Sequence, residues 1–136
     1  MKSIFSISIL LLIISCGKQS DCIEIQYDES FVAKAGQYYC FNDGVEMRID
    51  NIINGFCPCD DRLCFWEGEM YVYITLNIDG LSYNYQHGSS EKTEDISENL
   101  PLEITVNSDN IVFESECNED TPVPTILSTD LTVTIN

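Results

Sequence analysis

Val72, Ile74, Leu76 and Ile78 alternate with Tyr71, Tyr73, Thr75 and Asn77. Directly after Asp79-Gly80 a second alternation follows, Leu81, Tyr83 and Tyr85 against Ser82, Asn84 and Gln86. Apolar residues at every second position put one face of an extended chain into a core and the other into water, a pattern no helix can satisfy. An Asp-Gly pair between two such runs is the strongest short-range signal for an antiparallel hairpin. These residues therefore fix the class of fold before anything else is read.

The rest of the chain continues the pattern. Ile25 and Tyr27 alternate with Glu24 and Gln26, and Val45, Met47 and Ile49 with Glu46, Arg48 and Asp50. Leu102, Ile104 and Val106 form one further set, and Leu131, Val133 and Ile135 the last. Asp43-Gly44 predicts a hairpin between Gln37–Phe41 and Val45–Ile53, and Asn54-Gly55 starts a turn. Glu91–Asn99 reads as a long polar loop or one short helical turn, and Asn118–Pro124, with its two prolines, as a loop. Short strands with frequent turn signals predict an all-β domain, an antiparallel β-sandwich of immunoglobulin-like or similar type, with a partly open β-barrel as the alternative.

The chain begins MKSIFSISILLLIISC. A short basic start and an apolar stretch too short to span a bilayer have the layout of an export signal. The stretch ends Ile13-Ile14-Ser15-Cys16, which resembles the bacterial lipoprotein signal: two aliphatic residues, a small one and an obligatory cysteine. The resemblance implies cleavage before Cys16 and lipid on its sulfur. A diacylglyceryl group carries two chains, each buried CH₂ adding about 0.8 kcal/mol, so it anchors stably. The expected organisation is a signal peptide over 1–15, a lipidated N-terminus and polar tether over 16–21, and a single β domain over 22–136. The expected location is the bacterial cell envelope, lipid-anchored, at the outer membrane.

Charge narrows the partners. The formal net charge is −17, from 23 acids against six Lys and Arg, and becomes one unit more negative once Lys2 leaves with the signal. Phosphate backbones require clustered Lys and Arg, so nucleic acid is excluded as an expected partner. Electrostatic docking on anionic lipid is excluded likewise, which leaves the lipid anchor as the membrane contact. A protein partner with a basic surface fits the charge. The acids are scattered, and no calcium-loop pattern is present; no cofactor is expected.

Of the seven cysteines, Cys16 is assigned to lipid. Cys22, Cys40, Cys57, Cys59, Cys64 and Cys117 remain, an even set in an exported chain, where disulfides supplement a limited core. The spacing of Cys57, Cys59 and Cys64 lacks the paired C-x₂-C of zinc ribbons, and no C-x-x-C redox motif is present, so no metal is expected. Sequence leaves the connectivity open among 15 possibilities. The short loop holding Pro58 favours Cys57–Cys64; Cys40–Cys59 and Cys22–Cys117 are the pairs expected with it. A Cys57–Cys59 ring would be strained.

The stretch CPCDDRLCFWEGE, from Cys57 to Glu69, lies between two strong strands. Cys57-Pro58, Cys64, Trp66, Gly68 and Glu69 resemble a pattern in small exported bacterial lipoproteins of uncharacterised function. In that family a strand ends in a Cys-Pro turn, a second cysteine closes it, and W-x-G-E leads into the next strand. Phe31–Tyr38 and the segment around Pro122 and Pro124 resemble its flanks. This chain has Gly55-Phe56 where the family has Ser-Arg, and Cys59 is additional. The resemblance implies a β fold and an envelope address, and no activity.

No catalytic residue is expected. His87 is the only histidine and sits in YQHGSSE, which reads as a solvent-exposed loop; with Ser89 or Ser90 and an acid it would form a hydrolase triad, but no nucleophile elbow is present. Paired acids such as Glu67 and Glu69 read as a solvated strand face. Function on such scaffolds lies in loops, and the best candidates are Pro58–Leu63 and His87–Glu98. Asp60, Asp61, Arg62 and Trp66 are the expected binding residues. The sequence thus points to a non-catalytic binding or structural module. The alternatives are an inhibitor of an envelope hydrolase acting through loop 58–63, and a small hydrolase using His87.

Overall fold

A computed structural model describes residues 21–56, 68–90, 94–118 and 120–136. Nine strands occur among them: β1 Ile23–Glu24, β2 Ser30–Ala33, β3 Tyr38–Cys40, β4 Glu46–Asn54, β5 Met70–Ile78, β6 Leu81–Gly88, β7 Ile96–Ser97, β8 Ile104–Phe113 and β9 Ile126–Ile135. They form a six-stranded sheet, β1-β3-β4-β5-β6-β7, and a three-stranded sheet, β2-β9-β8. The two sheets face each other as a sandwich and do not close into a barrel.

The core is the one the alternation predicts. Met70, Val72, Ile74 and Leu76 of β5 are buried against Leu131 and Val133 of β9 and Val106 of β8 in one apolar cluster. Asp79 and Gly80 both take positive φ, 51° and 79°, as a two-residue hairpin of matching twist demands. At the second hairpin Gly44 has φ 86°, and Phe41 and Val45 close a three-residue loop. β4 carries a bulge between Ile49 and Asn51. The extra residue lets Ile49 and Ile52 both point inward although three positions separate them.

Three elements differ from expectation. β1 covers only Ile23–Glu24 and runs parallel to β3, with Glu24 opposite Cys40. Ile25 and Tyr27 instead lie beyond it, Ile25 buried and Tyr27, at the start of a turn, stacked on Phe41 at 4.0 Å. The segment expected as one polar loop, 91–99, contains β7, which pairs with β6. β9 begins at Ile126 and buries Thr129, whose hydroxyl donates to the Asp109 carbonyl at 2.8 Å.

The parallel pairing brings Cys22 beside the end of β3, and Cys22 is bridged to Cys40 with Cα atoms 5.8 Å apart. This corrects two expected pairs, Cys22–Cys117 and Cys40–Cys59. The reason is topological: β1 pairs with β3 and so brings together Cys22 and Cys40, 18 residues apart, which no short-range signal announces. Cys117 is also disulfide-bonded. The expected Cys57–Cys64 bridge, Cys59 and the lipidation site Cys16 lie outside the described residues.

Gly55 extends the β4–β5 ladder by one pair, its N–H donating to the Glu69 carbonyl at 2.9 Å. A Cβ there would come within 2.6 Å of that oxygen and 3.0 Å of the Tyr71 ring. Asn54 then ties this end to the other sheet, its amide donating to the Pro124 carbonyl at 2.7 Å.

Candidate functional sites

Two places carry chemistry among the described residues. The first centres on His87. Far from being an exposed loop residue, it lies in β6, two positions after Tyr85 on the same inward face, and is 6% exposed. Its Nδ1 is 2.9 Å from Asp95 Oδ1, and its Nε2 is 2.9 Å from Ser108 Oγ on β8. A carboxylate only accepts, so Nδ1 carries the proton donated to Asp95, and in the neutral ring Nε2 accepts from the Ser108 hydroxyl.

Asp95 gathers more than the histidine. The Tyr85 hydroxyl donates to Oδ2 at 2.5 Å, and the Gly88 N–H to Oδ1 at 3.1 Å. Burial raises the Tyr85 hydroxyl well above the usual tyrosine range, and the hydrogen bond and charge of Asp95 raise it further. His87 of one sheet thus holds Ser108 of the other, with Asp95 behind both His87 and Tyr85. Each group in this buried set has a partner, the condition under which a polar network stabilises a core.

The network borders a cleft of about 510 Å³ lined by Gly88, Ser89, Ser90, Asn107 and Asp109 as well as His87, Asp95 and Ser108. The backbone N–H groups of its glycine and serines are committed elsewhere: Gly88 to Asp95, Ser89 to the Met70 carbonyl at 2.9 Å, and Ser90 to Glu69 at 3.2 Å.

The second place is the outer face of the six-stranded sheet. Tyr71, Tyr73, Thr75 and Asn77 point outward from β5, half-buried, between the buried residues of the core. Their cross-strand neighbours extend the face: Arg48 and Asn84 flank Thr75, Asn51 and Gln86 flank Tyr73, and Tyr38 stands opposite Arg48. Asp50, two residues after Arg48, shares this face, where it accepts from the Thr75 hydroxyl at 2.6 Å and pairs with Arg48. Asn84 donates to Glu98 at 3.3 Å. Asp50, Tyr73, Asn84, Gln86, Ile96 and Glu98 line a shallow cleft of about 270 Å³.

The expected binding residues Asp60, Asp61, Arg62 and Trp66, and the loop Pro58–Leu63, lie outside the described residues. The other expected loop, His87–Glu98, does supply both His87 and Asp95, but as members of a buried inter-sheet network. Ser89 and Ser90, the serines considered as triad partners, lie near His87, yet the hydroxyl that reaches it belongs to Ser108. Repeated spacing could have found His87, since Tyr83, Tyr85 and His87 continue one alternation. No local signal links it to Asp95 or Ser108.

The chain matches no family model, no curated protein and no solved structure.

Proposed function

We propose that this chain is a lipid-anchored module of the bacterial envelope that works through binding rather than turnover. Lipid on Cys16 holds it at the outer membrane, and the domain from Cys22 onward presents a stapled β scaffold. The reading keeps the resemblance to small exported lipoproteins with a Cys-Pro…Cys-x-Trp-x-Gly-Glu core. The acidic surface favours partners that are neutral or basic and disfavours polyanions, nucleic acid among them.

The observation that carries this reading is the commitment of the His87 cleft. Acyl transfer needs donors free to hold a developing oxyanion. Here the N–H groups of Gly88, Ser89 and Ser90 are already bonded within the protein. Ser108 stands within a paired strand, opposite Leu131, rather than on a turn that would present its hydroxyl. Both features favour a structural tie.

A second reading rests on the same atoms. Ser108 Oγ, His87 and Asp95 follow the donor order of a nucleophile, its base and the group orienting that base. A serine-directed fluorophosphonate and a panel of short-chain esters separate the two. Absence of labelling and of turnover is expected. Labelling or turnover abolished by both Ser108→Ala and His87→Ala would establish the hydrolase instead. Mass spectrometry of the mature N-terminus tests the anchor, and an unmodified Cys16 would remove it.

A further inference from the structure

We propose that the outer face of the six-stranded sheet binds a neutral glycan chain, with one sugar ring stacked on Tyr73 in the cleft between Asp50, Gln86 and Glu98. This rests on the binding reading above and names its ligand class.

A pyranose ring has an apolar C–H face and a rim of hydroxyls that both donate and accept. An aromatic ring exposed on one side suits the first, because its negative face meets the slightly positive C–H groups. Planar amide and carboxylate side chains suit the second. Both occur here at neighbouring register positions. Tyr73 lies beside Gln86 across the β5–β6 ladder, and the Asp50 and Glu98 carboxylates border the same cleft. Among the described residues neither the Tyr73 hydroxyl nor the Gln86 amide hydrogen-bonds to protein, so both remain available. Tyr71, two residues along β5 on the same face, stands about 7 Å away and offers a second ring to a continuing chain.

Charge decides which glycan. Arg48 is the one cation on this face among the described residues, and Asp50 neutralises it. With that pair cancelled, Glu98 leaves the cleft anionic, which repels uronic acids, sulfated sugars and phosphate while its carboxylate accepts hydroxyl protons from a neutral sugar. A protein partner is the weaker fit. Interface cores are depleted of charge and favour contiguous apolar area, whereas Ile96 is the only aliphatic side chain at this cleft apart from buried Ile74.

The test is affinity electrophoresis of the full chain in gels holding xylan, glucomannan or hydroxyethyl cellulose, with polygalacturonate as the anionic counterpart. Retardation by at least one neutral polysaccharide is expected, weakened about tenfold in Tyr73→Ala and also reduced in Gln86→Ala, with both variants melting as the parent does. Retardation by none of the neutral polymers, by polygalacturonate alone, or unchanged in both variants overturns the inference. So does a protein cross-linked from a photoreactive residue at position 73 without any polysaccharide retardation; that result leaves the binding reading standing. Ester turnover dependent on Ser108 would instead remove the binding reading itself.

Discussion

His87 on β6 and Ser108 on β8 are joined by a 2.9 Å hydrogen bond that crosses from one sheet to the other. The two strands share no backbone ladder, so this bond is a polar link between them made by side chains alone. The sandwich is fastened along this side by side chains.

Breaking that fastening should register as stability. His87→Ala removes one of Asp95's three partners and the partner of the Ser108 hydroxyl, and opens a cavity, a loss of about 2–3 kcal/mol. Ser108→Ala removes one neutral bond, about 1 kcal/mol. The double variant should fall short of the sum by about 0.5 kcal/mol or more, because the residues touch. Urea denaturation of the four proteins measures the coupling, and strict additivity would show that the bond contributes nothing.

Alkaline pH should loosen the fold. Burial, with Asp95 adding to it, raises the Tyr85 hydroxyl, and burial with Asp43 does the same for Tyr27. A folded-state value above the unfolded one of about 10 means that the native state holds its protons longer. Stability is then complete below that value and declines as pH rises past it. Denaturation midpoints at pH near 8 and near 10.5 should differ, and Tyr85→Phe should shrink the difference.

The Cys22–Cys40 bridge should appear as one linked pair of peptides in non-reducing digests. Replacing both cysteines by serine should cost about 2–4 kcal/mol, the range for loops of this size. Recovery of Cys22 linked to Cys117 would contradict the topology.

Gly55→Ala should destabilise by about 1–3 kcal/mol, because its new methyl meets the Glu69 carbonyl at 2.6 Å. Gly36→Ala is the useful contrast. It has open space, so only its φ of 81° is penalised, at about 1 kcal/mol. Thermal melts that rank Gly36→Ala as the worse variant would argue against close strand approach at Gly55.

Sequence carried the sheet-forming residues because each strand declares its buried face locally. β5 and β6 were legible almost to the residue, as was the Asp79-Gly80 turn. What failed was pairing at a distance. Nothing in Cys22-Ile23-Glu24 tells that it lies parallel to β3. His87 was misread because Gly88-Ser89-Ser90 follows it, and polar small residues signal a loop. The strand persists to Gly88 because Asp95 and the end of β5 absorb its polar groups. The aromatic face was in view as outward tyrosines. Its cleft was not, since Ile96 and Glu98 reach it only through the pairing of β7 with β6.

The bridge at the start of the domain also sets how the molecule bears load. A pull on the chain from the side of residue 21 meets Cys22 first, and the covalent link to Cys40 passes it to β3. From there it spreads into β4 through the β3–β4 ladder. The two-residue β1 is therefore spared the peeling that would otherwise unzip a sheet from its edge, one hydrogen bond at a time. The domain can be tugged by its leading end and yield only when an inner strand pair shears.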